Sequence, residues 1–263
     1  MRVKSTPLEK KLVHQFKHIH LREAIPGRIL SNEYGECYLV ADECVPQFST
    51  RDYGNLIEFC KNESVAIIDI ETLGLRHKPI ILLGIVNITK NMACTHQFLL
   101  RDTSEEPAAI WSFLSQVKND SSLITYNGRK FDIPYIRQRL AHYGRKAHFS
   151  NPHYDILDFS QSLLGKKLYN RRLETVERYL GIQRGMNIPG WCVPHYYNTY
   201  LKTGNVGPLV AIVKHNKQDL INLGKVVSRL QSLRNSRACI RSETGKEHRT
   251  ILRRILQVFG RGS

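Results

Sequence analysis

Asp69 and Glu71 close an apolar run, Val65-Ala-Ile-Ile68, and stand two residues apart. A run rich in β-branched residues suits a strand buried on both faces. On an extended chain, residues i and i+2 point to the same side, so both carboxylates would reach one place. Like charges delivered together by a buried strand call for a cation, and their hard oxygens suit Mg²⁺ or Mn²⁺. A solvated strand end is the plainer reading of the same pair. Thr72, Leu73 and Gly74 follow as a turn, where Gly74 would let backbone or ligand approach closely.

Two further stretches carry acids. Asn127-Gly-Arg129-Lys130-Phe131-Asp132 puts Asp132 at a strand-to-helix junction, the kind of rim where α/β sheets bind ligands. Asn127 is expected to bridge that loop, and Pro134 fits the first turn of the helix after it. The alternative for Asp132 is a plain helix N-cap. His215 and Asp219 are i and i+4 in a helical stretch and so share a face. An imidazole beside an acid suits a general base, and equally an ordinary surface pair.

The elements that must position these residues follow from periodicity. Strands are expected over the 65–68 run with Asp69 and Glu71 at its end, and at 80–88, 94–100, 123–126 and 153–157, with helices after the third, fourth and fifth. That pattern predicts a mixed five-stranded α/β sheet flanked by helices. A helix over 1–25 and a hairpin over 27–40 precede it, so residues 1–50 are an N-terminal extension and 51–233 the main domain. His14 and His18 lie four apart on the first helix, but lysines surround them and no glutamate accompanies them, so a metal role is not expected. Ser104 is expected to cap the helix through Trp111. Residues 209–230 read as a long helix, and 234–263 as a basic tail whose Ile251, Leu252, Ile255, Leu256 and Phe259 share one face. That tail either docks on the domain or binds a partner.

The 263 residues include 39 Lys plus Arg against 23 Asp plus Glu, a formal charge of +16. So basic a chain favours a polyanionic partner, nucleic acid first. No apolar run approaches the roughly 20 residues of a membrane span. Met1 to Lys11 lacks the apolar core of a secretory signal. No C-x-x-C pair occurs among Cys37, Cys44, Cys60, Cys94, Cys192 and Cys239. The expectation is a cytoplasmic protein with all six thiols reduced and Cys94 acting as a small core hydrophobe.

The three acidic stretches, Asp69-Ile-Glu71, Asn127-x-x-x-Phe131-Asp132 and His215-x-x-x-Asp219, resemble the ordered motifs of the DEDD exonucleases of the ribonuclease H-like superfamily. Leu173-Glu-Thr-Val-Glu177-Arg-Tyr-Leu-Gly181, Ile188-Pro-Gly190 and Tyr200-Leu-Lys-Thr-Gly204 resemble the YprB family of that superfamily, as does the 32–40 hairpin. The resemblance covers about residues 26–230. It implies a metal-dependent 3′→5′ exonuclease acting on DNA or RNA. In that reading Asp69, Glu71, Asp132 and Asp219 hold two Mg²⁺ or Mn²⁺ ions and His215 is the base. It departs from the DEDD pattern in one respect: a His stands at the spacing of the family's Tyr. Four crowded carboxylates need such cations to stay ionised. Thr72, Leu73 and Gly74 would then face the terminal nucleotide, with Leu73 as a wedge. Asn127 would brace its loop, and Arg129 and Lys130 would contact phosphates. Tyr126 and Tyr135 would stack on bases or serve as core aromatics. The alternative from another class is a nucleic-acid-binding module with the fold but little catalysis; a scaffold recruiting a partner through its tail is a third.

Overall fold

The structure, a computed structural model, describes residues 19–40, 43–45, 48–75, 77–89, 92–185 and 188–259, and side chains as far as Arg237. The expected helix over 1–25 therefore lies outside the description, as do His14 and His18, except for a short helix α1 (Leu21–Ala24). Then come β1 (Gly27–Asn32), β2 (Gly35–Val40), β3 (Glu43–Val45), α2 (Thr50–Cys60), β4 (Val65–Thr72), β5 (Ile80–Thr89) and β6 (Met92–Leu99). After them lie α3 (Glu106–Gln116), β7 (Ser122–Thr125), α4 (Asp132–His142), β8 (His153–Asp155) and α5 (Ile156–Leu164). The chain ends in α6 (Leu173–Tyr179), α7 (Val193–Thr203) and α8 (Gly207–Phe259).

One sheet runs in the order β1-β2-β6-β5-β4-β7-β8, with β3 also paired to β6. The expectation of five strands is thus corrected to eight among the described residues. The five expected strands are β4 to β8, and the 27–40 hairpin and β3 extend the same sheet at β6. β5 is antiparallel to β4, and β6 to β5, because short turns join them in sequence, whereas β7 and β8 return parallel through helices.

β4 is buried on both faces, as its composition requires. Ala66, Ile68 and Ile70 point into one core with α3 and α4, while Val65 and Ile67 point into the other with α2 and α8. Asp69 and Glu71 continue the second face. The apolar stripe Leu220, Leu223, Val226, Val227 and Leu230 seats α8 on that face. Gly84, opposite Asp69 in the register, makes this contact close: a β-carbon there would lie 2.2 Å from Asn216 Oδ1 and 2.7 Å from Leu220 Cδ1.

Smaller expectations are revised. Ser104 does not cap α3. Asp102 instead accepts from the Ser104 N–H at 2.9 Å, shaping a 3₁₀ turn before Glu106 and Pro107 start the helix. Cys44 and Cys94 face each other across β3 and β6 and form a disulfide, so the expectation of six reduced thiols is corrected. Cys37, Cys60 and Cys192 are buried and outside this disulfide. The tail continues α8 as helix to Phe259, although its basic side chains beyond Arg237 lie outside the description. Among the described residues, no helix is long and apolar enough to cross a membrane.

Candidate active site

The acidic segments meet where the second face of β4 runs out. A register shift between Glu71 and Thr72 ends the regular ladder. Asp132 opens α4 with its side chain turned back on β4, where Oδ1 accepts from the Ile70 N–H at 3.2 Å. Asp132 is therefore no N-cap; its carboxylate sits between Asp69 and Glu71 in sequence register. From the opposite side α8 brings His215 and Asp219. His215 Nε2 lies 3.6 Å from Glu71 Oε1 and 3.8 Å from Asp219 Oδ2. The five expected residues are thus brought together from three segments.

Burial and mutual repulsion dominate the electrostatics. Burial holds the Asp69 carboxyl well above the usual range, and the charges of Asp219 and Asp132 add to the rise. Glu71 is raised by burial, then by Asp69, Asp219 and Asp132. Asp132 is pushed up to about 7 by burial, against hydrogen bonds from its own N–H and that of Ile70. His215 is lowered, again chiefly by burial, so its imidazole is neutral near pH 7.

Sequence reasoning missed the residues that hold this cluster. Asn216 donates to Asp69 Oδ2 at 2.7 Å and to the Asp69 carbonyl at 3.2 Å, while its Oδ1 accepts from Gln97 Nε2 at 2.8 Å. Its one available signal was its place directly after His215. Arg184 donates to Asp219 Oδ1 at 2.5 Å and forms a two-pronged ion pair with buried Glu177. No short-range pattern links these three residues.

The loop before Asp132 is braced differently from the expectation for Asn127. The brace is Asp155, whose carboxylate accepts from the N–H groups of Asn127 at 2.8 Å and Arg129 at 3.0 Å while capping α5 at Leu157. Asn127 contributes a left-handed backbone, φ 64°, a conformation Asn tolerates well. The Arg129 side chain bonds the His153 carbonyl at 2.7 Å and lies 4.0 Å from Asp158, turned toward β8; Lys130 is exposed. Thr72 Oγ1 bonds the Gly74 carbonyl at 2.9 Å, and Tyr135 Oη donates to the Gly74 and Lys78 carbonyls, so Tyr135 is a structural clamp on this turn. Leu73 packs against the core, whereas Leu75 is 73% exposed. Tyr126 Oη donates to the Arg171 carbonyl.

A family model of the RNase H superfamily matches residues 66–231. The chain belongs to that superfamily. This RNase H-like chain is also 32% identical over 169 residues to the uncharacterized protein YprB of Bacillus subtilis (strain 168). That similarity covers 59% of this chain and 39% of YprB, so the chain spans well under half of that relative. Membership gives the protein a nuclease-type fold.

The site's fit to divalent metal rests on its donors. Among the described residues, no three His, Cys, Asp or Glu side chains already surround one point. Arg184 occupies part of the coordination capacity of Asp219. The cluster nevertheless supplies hard oxygens, and the raised Asp69, Glu71 and Asp132 carboxyls mark a shortage of positive charge. Cations of that class fit the site.

Proposed function

We propose that this RNase H-like chain is a metal-dependent 3′→5′ exonuclease that hydrolyses phosphodiester bonds of single-stranded DNA or RNA. One observation carries the reading: four carboxylates from three distant segments converge in a buried, mutually repelling cluster beside a neutral histidine. A structural role alone gives no reason to concentrate uncompensated acid in this way.

Asp69, Glu71, Asp132 and Asp219 would hold two Mg²⁺ or Mn²⁺ ions. Those ions, when bound, supply charge for the phosphate and acidify an attacking water. His215 is the general base: Nε2 faces the carboxylates, and burial keeps its lone pair free of a proton near neutral pH. Asn216 fixes the Asp69 carboxylate, and Ile70 N–H fixes Asp132. Thr72 and Gly74 face the terminal nucleotide from the turn after β4. Exposed Leu75 suits the wedge role better than half-buried Leu73.

The test is digestion of a 3′-labelled oligonucleotide with Mn²⁺. The wild-type chain should shorten it from the 3′ end, and Asp69→Asn should not, with an unchanged far-ultraviolet circular dichroism spectrum. Undiminished cleavage by Asp69→Asn rejects the assignment. The Arg184 pair on Asp219 favours a second reading, a nucleic-acid-binding module of low catalytic power. Binding of the oligonucleotide without shortening supports that alternative.

A further inference from the structure

A cavity of about 620 Å³ opens directly on His215 and Asp219, on the side away from β4. Its wall includes Arg172, Leu173, Arg184, Gly190 and Trp191. This is the size range of small-ligand pockets, and its lining mixes an aromatic, an aliphatic, two arginines and the acids Glu174 and Asp219.

Trp191 is 67% exposed, an unusual state for the largest apolar side chain. It is not a loose surface residue. It sits in a 3₁₀ turn, Gly190–Cys192, whose Cys192 and flanking Ile188 and Val193 are all buried, so the backbone under it is anchored. Gly190 lies near His215: a β-carbon there would make ordinary contact, 3.9 Å, with Nε2. The indole is therefore carried one residue from contact with the imidazole while facing solvent.

The opposite wall leads to a basic strip. Lys166, Lys167, Tyr169, Arg171 and Arg172 precede Leu173 in one short stretch of chain. Tyr169 is 73% exposed, and Lys166, Lys167, Arg171 and Arg172 are all exposed. The Tyr126 hydroxyl holds this stretch by the Arg171 carbonyl, 2.8 Å away, at the end of β7 beside the acid cluster. One exposed tyrosine between two pairs of exposed cations, leading to the exposed Trp191, matches a single strand, whose bases are free to stack and whose phosphates need countercharge.

Resting on the exonuclease reading, we infer that Trp191 is the stacking platform for the terminal nucleobase and that residues 166–172 carry the strand leading to it. The substrate class is then a strand whose end is unpaired, since a base held in a duplex stack cannot lie on the indole. This path differs from the one drawn through Arg129, whose guanidinium is turned toward β8.

The experiment uses the full chain with Mn²⁺ and two oligothymidylates, one ending in a normal nucleotide and one in an abasic nucleotide. Trp191→Ala should raise KM on the normal end by about 10–100-fold, the effect of losing one base–aromatic stack, and leave KM on the abasic end nearly unchanged. Trp191→Phe should recover most of the loss, and kcat should move little in either variant. Equal losses on both ends, or none, overturn the platform. Should the wild-type chain shorten neither strand, the exonuclease reading fails, yet the platform is still tested. In a Trp111→Phe chain, oligothymidylate should quench the remaining Trp191 fluorescence. Absence of quenching, or equal quenching by a blunt duplex, overturns the inference.

Discussion

Glu106 and the Asp69 cluster are both buried acid, and they are treated in opposite ways. Glu106 is fully buried, and one carboxylate meets donors on every side. Ile80 N–H and Arg139 Nε reach Oε1 at 2.8 Å, while Arg139 Nη2 and Tyr143 Oη reach Oε2 at 2.5 and 2.6 Å. Arg139 also bonds the His77 carbonyl, so this network ties α3 and α4 to the turn after β4. In the cluster, four carboxylates have, among the described residues, one guanidinium in an ion pair with them, Arg184, and it is shared with Glu177. The contrast separates a charge satisfied inside the fold from charges that, on the proposed reading, a bound cation would satisfy.

Substitution in each region should break the comparison in opposite directions. Asp132→Asn keeps an oxygen to accept from Ile70 N–H but removes a charge. Exonuclease turnover should fall by at least about 10²–10³, the scale of losing one electrostatic stabiliser. Stability of the metal-free protein should hold or rise, because a repelled carboxylate is gone. A clear loss of melting temperature with turnover retained would merge the two regions into one structural class.

Arg139→Met should do the reverse. It strands Glu106 without its main partner and should cost about 3–5 kcal/mol in urea unfolding. Activity per folded molecule should stay near wild type. The double change with Glu106→Gln should regain part of the loss, since no uncompensated charge remains. Full stability in the single variant would show that the internal pairing of Glu106 is not what holds this side of the sheet.

How much of this was legible follows from which interactions are local. The period-two placement of Asp69 and Glu71 and the i,i+4 pairing of His215 with Asp219 are local rules, and both lead to real juxtapositions. The strand-to-helix junction placed Asp132 at the rim, but not the backward turn of its side chain onto Ile70 N–H. The brace of the Asn127 loop was misread because the true acceptor, Asp155, comes from another strand 28 residues later. The Glu177–Arg184–Asp219 chain depends on how α6, the following loop and α8 pack, which no spacing encodes. The same holds for the bond between Cys44 and Cys94, which needs the register of β3 on β6. Hydrophobic alternation found the five central strands. It could not say that the hairpin would join their edge through Tyr38 and Leu39 against Leu99 and Phe98.

Asn216 sharpens the contrast between the regions, because it is the neutral group assigned to hold a charged one. Asn216→Ala removes both hydrogen bonds to Asp69, while Gln97 keeps the Val213 carbonyl as a partner. The fold should survive. Mn²⁺ affinity, followed by calorimetric titration, should weaken by about 10–100-fold, the usual effect of removing a group that orients a metal ligand. Unaltered affinity would mean that Asp69 needs no orienting, or that it is not a ligand.

The smallest effect is the most direct probe of the missing charge. An unfolded Asp titrates near 3.9, whereas burial raises folded Asp132 to about 7, with Asp69 and Glu71 shifted the same way. A carboxyl whose folded pKa lies above its unfolded one gives the native state extra bound protons between those values. That contribution is complete below the unfolded pKa and is lost as pH rises through the folded one. Without metal, the melting temperature should therefore fall between about pH 4 and 7 through Asp132. Divalent ions take the place of those protons, so the rise in melting temperature on adding Mn²⁺ should be larger at pH 8 than at pH 5.5. An excess of about 1 kcal/mol corresponds to roughly 2–4 °C for a chain of this size. Asp132→Asn should flatten the pH slope, whereas Arg139→Met should lower both curves and leave their separation unchanged. Parallel curves with and without Mn²⁺ in the wild-type chain would mean that protons and metal do not compete for this cluster, and the distinction from Glu106 would lose its electrostatic basis.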